Sequence, residues 1–318
     1  MGKKVLLTGG AGFIGSNILD AMLQDDRISF VRVLDNLSTG KRGNIEEFMD
    51  QPKFEFMWGD IREYNTCYDA CRDMDMVCHQ AALGSVPRSI KQPVTTNNVN
   101  IGGTLNIFTA AKDRGIKRVV YAASSSTYGD SNELPKREEN IGSPISPYAV
   151  TKLVNELYAS VFGKLYEMEF IGLRYFNIFG PKQDPHGAYA AVIPLFFKAA
   201  MEEVAPTING DGSFSRDFTY VENAVQANLL ALFTEEKSAL NQIFNIACGQ
   251  RTSLNDLWQY ITSIAGKSIE PVYGPTRAGD VPHSLASIEK VKTTLKYKPE
   301  IDVKSGLNLT YKYYQDNG

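Results

Sequence analysis

The chain has 318 residues, enough for one large or two modest domains around a sizeable core, which excludes a peptide or a small disulfide scaffold. Hydrophobic residues make up 43% and charged residues 22%, without the apolar depletion that marks disorder. Lys+Arg 33 against Asp+Glu 36 leave a net charge of -3 with no dense basic block, so no nucleic-acid partner is expected.

Four cysteines are few for this length, and Cys67, Cys71 and Cys78 crowd one short segment away from Cys248. That usage fits a reducing cytoplasm better than a disulfide framework. Cys67, Cys71, Cys78 and His79 lack paired C-x2-C elements, so no metal is expected. Only three apolar residues lie between Lys3-Lys4 and Thr8-Gly9-Gly10, too few for a signal-peptide core. The uncharged stretch 92–111 carries Asn97, Asn98, Asn100 and Asn106, which argues against a membrane span. A soluble protein is expected.

Apolar runs VLLT (5–8), VRVLD (31–35), FEFMW (54–58), MVCHQA (76–81), RVVYAAS (118–124) and EFIGLRYF (169–176) alternate with helical patterns at 13–24, 64–72, 97–114 and 147–164. Strand then helix, repeated, predicts a doubly wound parallel sheet covered on both faces, an α/β Rossmann domain over 1–178. Beyond it the pattern breaks into Gly- and Pro-punctuated pieces, with helices near 191–203, 222–234 and 253–265 and a strand at 242–247. These predict a smaller mixed α/β substrate domain over 179–318, with some chain crossing back to the first.

The strand VLLT runs straight into Gly9-Gly10-Ala11-Gly12-Phe13-Ile14-Gly15 and an amphipathic helix, and Asp35 ends the next strand. In that context the glycines let a pyrophosphate reach the helix N–H groups, and Asp35 can accept from both ribose hydroxyls. Asp35 also repels a 2′-phosphate, and Asn36-Leu37-Ser38-Thr39-Gly40 adds no arginine, so NAD is favoured over NADP. Asp60 and Ile61 are candidates for holding the adenine, and Gln80-Ala81 for the nicotinamide side; a plain turn competes at each.

Tyr148 and Lys152 are four apart on one helix face, and Ser124-Ser125-Ser126 ends the fifth strand at the edge where ligands bind. A phenol is a poor base at neutral pH, but a lysine ammonium and an oxidised nicotinamide can pull its pKa down. Tyr148 could then remove a hydroxyl proton while a serine holds the same oxygen. Alone, such a pair is commonly just two residues of a solvated helix; the glycine fingerprint upstream reverses that weighting.

TGGAGFIG (8–15), Asp35, Gly59-Asp60, HQAA (79–82), SSSTYG (124–129), YAVTK (148–152) and RYFNIFGP (174–181) together resemble the extended short-chain dehydrogenase/reductase family. SPYAVTKLVNELYA (146–159), GPKQDPHGAYAAVIP (180–194) and RAGDVPHS (277–284) are most similar to its bacterial UDP-hexose 4-epimerases that act on N-acetylated sugars. The resemblance implies tightly held NAD, Tyr148 as base, Lys152 on the nicotinamide ribose and Ser124 as the main serine, with Ser125 and Ser126 near the sugar. Three adjacent serines leave the working hydroxyl open. It further implies Arg216 and Arg277 on the UDP pyrophosphate, Asp280 on the uridine ribose, Asn177 on the diphosphate or sugar, and AAVIP (190–194), with Val192, beside the uracil. For each arginine a surface ion pair is the alternative.

In the family, the position of Ser284 is a bulky tyrosine in enzymes restricted to unacetylated sugars, so Ser284 implies room for a 2-acetamido group. Ser85 and Arg88 either contact the sugar or stabilise their loop. A homodimer through the long helices 97–114 and 147–164 is also implied. The rival readings are a 4,6-dehydratase or decarboxylase of the same fold, or a non-catalytic NAD-binding scaffold. Against the first two, Ser125-Ser126-Thr127 stands where those enzymes carry carboxylates, and no acid lies between Ser124 and Asp130.

Overall fold

The computed structural model describes residues 2–185, 190–276 and 281–317. Strands β1 (Lys3–Thr8), β2 (Ile28–Asp35), β3 (Phe54–Trp58), β4 (Met76–His79), β5 (Arg118–Ser124) and β6 (Glu169–Tyr175) follow the predicted runs to within a few residues. They pair in parallel in the order 3-2-1-4-5-6. Strand order reverses between β1 and β4, so the crevice between their carboxyl ends is where such a sheet takes a ligand.

Shorter strands follow: β7 (Ile178–Phe179), β8 (Thr207–Asn209), β9 (Ser215–Arg216) and β10 (Thr219–Tyr220). Then β11 (Gln242–Ile246) returns to the large sheet as its seventh strand, in parallel beside β6. β12 (Thr252–Ser253) pairs antiparallel with β9, and β13 (Val272–Gly274) in parallel with β8.

Helices α1 (Phe13–Gln24), α2 (Tyr64–Ala70), α3 (Val86–Lys91), α4 (Pro93–Asn97), α5 (Thr104–Asp113), α6 (Pro147–Tyr166), α7 (Val192–Met201), α8 (Val221–Phe233), α9 (Leu254–Ala265), α10 (Glu289–Leu295) and α11 (Val303–Asn317) complete the chain. One face of the sheet buries Val5, Leu7 and Val33 with Ile18 and Met22 of α1 and Ala227 and Ala231 of α8. The other buries Leu6, Val77 and Val119 with Cys67 of α2, Phe108 of α5 and Phe162 of α6. A third cluster joins α7, α9 and α11 through Phe197, Trp258 and Leu307. None of the described helices is long and apolar enough to cross a membrane.

The helix predicted at 97–114 begins earlier and is irregular. Pro93 starts it, and a π-helical turn over Asn98–Gly103 separates α4 from α5. The distortion accompanies close packing, because a Cβ on Gly103 would lie 2.5 Å from Ile61, and the Asn100 amide bonds both backbone groups of Leu83. Helices α3, α10 and α11 were not predicted. In α11 the buried stripe Val303, Gly306, Leu307, Thr310 and Tyr314 reads as polar or breaking at two of its five positions.

Candidate active site

An open cleft of about 510 Å³ runs along the carboxyl ends of the strands, from the glycine-rich turn to α6. At one end Gly9, Gly12, Phe13, Ile14 and Gly15 line it with Asp35, Asn36, Ser38, Asp60 and Ile61; at the other are Ser124, Ser125, Tyr148, Lys152 and Asn177, with Gln80 and Ala81 between.

The glycine turn is shaped by contacts that exclude side chains. Gly9 sits at φ 71° with a would-be Cβ 2.7 Å from the Ala81 nitrogen, and a Cβ on Gly15 would lie 2.1 Å from the Gly9 carbonyl oxygen. Gly12 caps α1 without a side-chain acceptor, so the first N–H groups of the helix face the cleft ready for an anion. Asp35 accepts from Ala11 N at 3.0 Å and Leu37 N at 2.8 Å, which locks its carboxylate. Each oxygen keeps a second lone pair for a ribose hydroxyl. Burial raises the Asp35 pKa, and those backbone donors oppose it. Asn36 donates to Asp60 at 2.8 Å, and Asp60, ion-paired with Arg62, is held down to about 2. Among the described lining residues, Lys152 is the only cation, at the far end from Asp35. Gly40 stays off the cleft wall and packs against Ala11.

Ser146 caps α6 by accepting from Ala149 N at 3.1 Å, Pro147 opens its first turn, and Tyr148 and Lys152 then project from successive turns. Ser126 Oγ donates to Ser124 Oγ at 2.9 Å, and Ser124 hydrogen-bonds the Tyr148 phenol. Ser124 and Ser125 line the cleft, with Ser126 behind them. Buried Lys152 donates to the Ala122 carbonyl at 2.8 Å, its Nζ 5.9 Å from the Tyr148 ring centre. Burial lowers its pKa to about 8, against the pull of Glu156. Burial raises the Tyr148 pKa, and the Ser124 hydrogen bond opposes it. The bond from Lys152 to the Ala122 carbonyl uses one of the three ammonium donors and leaves two for a ligand in the cleft.

The cleft floor contains a ring of hydrogen bonds that sequence reasoning missed. Tyr175 OH donates to Gln80 Oε1 at 3.0 Å, Gln80 Nε2 to Asn228 Oδ1 at 3.0 Å, and Asn228 Nδ2 to Tyr175 OH at 2.7 Å. Tyr175 lies inside a motif already singled out, whereas Asn228, on α8, has no local sequence signal.

Other candidates lie off this wall. Ser85 caps α3, accepting from Arg88 N at 3.1 Å, and Val192 opens α7 against the third core cluster. Arg216 on β9 donates to the carbonyls of Ser215 and Pro282, and Ser284 N donates to Ser215 O at 3.0 Å, so Arg216 and Ser284 flank one another. Arg277 and Asp280 fall outside the described residues. His79, weighed against a metal, is a core residue between Thr8 and Thr104, its pKa lowered by burial to about 3. Cys67, Cys71 and Cys78 are buried, which pushes their thiols up to about 12.

The model of the NAD dependent epimerase/dehydratase family matches residues 5–247. The chain belongs to that family. Within it, the chain is 33% identical over 315 residues to a UDP-glucose 4-epimerase of Mycolicibacterium smegmatis, covering 98% of this chain and 99% of that one. Among solved structures it is similar to the UDP-N-acetylglucosamine 4-epimerase from Methanobrevibacter ruminantium M1 in complex with UDP-N-acetylmuramic acid, at TM-score 0.94 and 37% identity, covering 100% and 99% of the two chains. It also resembles the Thermotoga maritima UDP-glucose 4-epimerase with UDP-glucose, at TM-score 0.92 and 34% identity over 99% of each. NAD, the cofactor of this epimerase/dehydratase family, suits the residues present: a side-chain-free cradle at a helix N-terminus, and a locked carboxylate with no cation beside it among the described lining residues.

Proposed function

We propose that this enzyme, a UDP-sugar 4-epimerase, interconverts UDP-N-acetylglucosamine and UDP-N-acetylgalactosamine and also accepts UDP-glucose and UDP-galactose. The observation that carries the reading is the wall of the cleft. Ser124, Tyr148 and Lys152 stand together there, while the only described lining carboxylates, Asp35 and Asp60, lie at the opposite end. A dehydratase or decarboxylase needs an acid beside the reacting carbon to move a second proton; here Ser125 and Ser126 occupy that place.

NAD, when bound, supplies the hydride acceptor and donor. Gly12, Phe13 and Ile14 would hold its pyrophosphate, Asp35 its adenosine ribose and Lys152 its nicotinamide ribose. Tyr148 takes the proton of the sugar 4-hydroxyl and Ser124 donates to the same oxygen, with Ser126 fixing Ser124. With no second acid among the described residues at this end of the cleft, the 4-ketone would turn over and be reduced on its other face. Burial raises the phenol's pKa, and the positive charges of Lys152 and of the oxidised cofactor would oppose it. Arg216, Arg277, Asp280, Asn177 and Val192 are assigned to UDP, and the small Ser284 to the space a 2-acetamido group needs.

The test is incubation with UDP-N-acetylglucosamine and, separately, UDP-glucose, followed by proton NMR. Conversion of both to 4-epimers is expected, and a 4-keto-6-deoxy product would overturn the reading. Ser284→Tyr should remove turnover of the acetylated sugar and spare UDP-galactose. We also propose a homodimer: Val150, Leu157, Val161 and Leu165 form an exposed apolar stripe on α6, and light scattering gives the mass.

A further inference from the structure

Two loops far apart in the chain meet across the first turn of α1. Lys182 Nζ donates to the Asn44 carbonyl at 3.1 Å, pairs with Glu47 at 3.3 Å and lies 5.4 Å from the centre of the Phe48 ring. Lys41 meets Asp184 at 3.2 Å alongside. Both loops are anchored on the glycine turn. From one side Asn44 Nδ2 and Lys41 N donate to the Ala11 carbonyl at 2.8 and 3.0 Å. From the other, Asn17 Nδ2 bridges the carbonyls of Phe13 and Pro181 at 2.8 and 3.2 Å. Tyr314 OH fastens the Gln183 carbonyl at 2.7 Å, and Gln183 lines the cleft.

Lys182 is held at φ 68°, a conformation that non-glycine residues keep only where their surroundings over-determine it. Its side chain is 16% exposed although no step of the chemistry uses it. We infer that Lys182 is a positioning residue that closes this strap around the pyrophosphate cradle and slows escape of the cofactor between the two hydride transfers of one epimerisation. The need for retention rests on the proposed function, but release of NAD is measured without any sugar, so the two can fail separately. Glu47 is 64% exposed and adds little; the Asn44 carbonyl and the packed stem hold the strap.

Lys182→Met keeps the stem and removes the donor. NAD release after rapid dilution, followed by the change in protein fluorescence, should be about ten- to a hundredfold faster, the loss of one charge-assisted hydrogen bond. Lys182→Arg should restore the slow rate, and Glu47→Gln should leave it near that of the unaltered protein. Diluted Lys182→Met enzyme should lose activity that added NAD returns. If the methionine variant is destabilised, Lys182→Gln reads the same release rate. Unaltered release in both variants, or faster release that arginine does not correct, overturns the assignment.

Discussion

Gly15→Ala separates the packing role of the glycine turn from its binding role. The new methyl would lie 2.1 Å from Gly9 O, 2.8 Å from Gly9 C and 2.9 Å from Gly10 Cα. All three atoms are backbone, so no rotamer change relieves the overlap, and α1 must move away from β1 by roughly 1 Å to restore ordinary contact. Overpacking of this kind typically costs about 1–3 kcal/mol. Immovable neighbours place this case near 3 kcal/mol, a fall in Tm of roughly 4–5 °C for a chain of this size. Gly12→Ala is the control. Its methyl meets only Gly9 O, at 3.2 Å, and Gly12 is already at an ordinary φ of -77°, so Tm should fall by no more than about 2 °C. That methyl enters the space over the helix N–H groups and should weaken NAD by about ten- to a hundredfold, the worth of a charge-assisted hydrogen bond. Calorimetry without cofactor and titration with NAD separate the two. Equal losses of Tm, or undiminished NAD binding by Gly12→Ala, would refute the division of labour.

Ser124→Ala should lower kcat by roughly a hundredfold or more, and Ser126→Ala by less than about tenfold, because Ser126 reaches the reacting oxygen only through Ser124; equal losses would make Ser126 a direct donor. Lys152 is buried with its pKa lowered to about 8 from an ordinary 10.5, so the unfolded chain holds the proton more firmly. Stability should therefore rise between about pH 8 and 10.5, by on the order of 3 kcal/mol, and urea melts of Lys152→Met should lack that rise. Glu156 and Arg174 form a buried, two-pronged ion pair at 2.8 Å, so Glu156→Gln should cost about 3–5 kcal/mol, while an apolar replacement of both should cost much less. Denaturant midpoints compare the three proteins; equal losses in single and double variants would reject an uncompensated charge as the cause.

Local patterns in the sequence located the strands of the sheet, the glycine turn and the Tyr148–Lys152 face, because each is encoded by residues within a few positions of one another. Ser146-Pro147 announces α6, and Asp35 follows the fingerprint at a fixed distance. Contacts between distant elements left no such trace. Arg174 reaches Glu156 across two elements, and Asn228 completes the floor ring from a helix whose own pattern reads as ordinary core. The same limit applies to Lys152. Spacing places it one turn from Tyr148, but only the folded backbone reveals the Ala122 carbonyl that fixes its ammonium.

The return of β11 to the large sheet determines how the molecule can be cut and recombined. A fragment ending near residue 178 would leave β6 with an unpaired edge and strip Ala224, Ala227, Phe244 and Ile246 from the apolar face they cover. Such a fragment should aggregate rather than persist as a free nucleotide-binding module. The half beyond residue 178 therefore cannot be exchanged as a cassette, because it carries a strand of the same sheet.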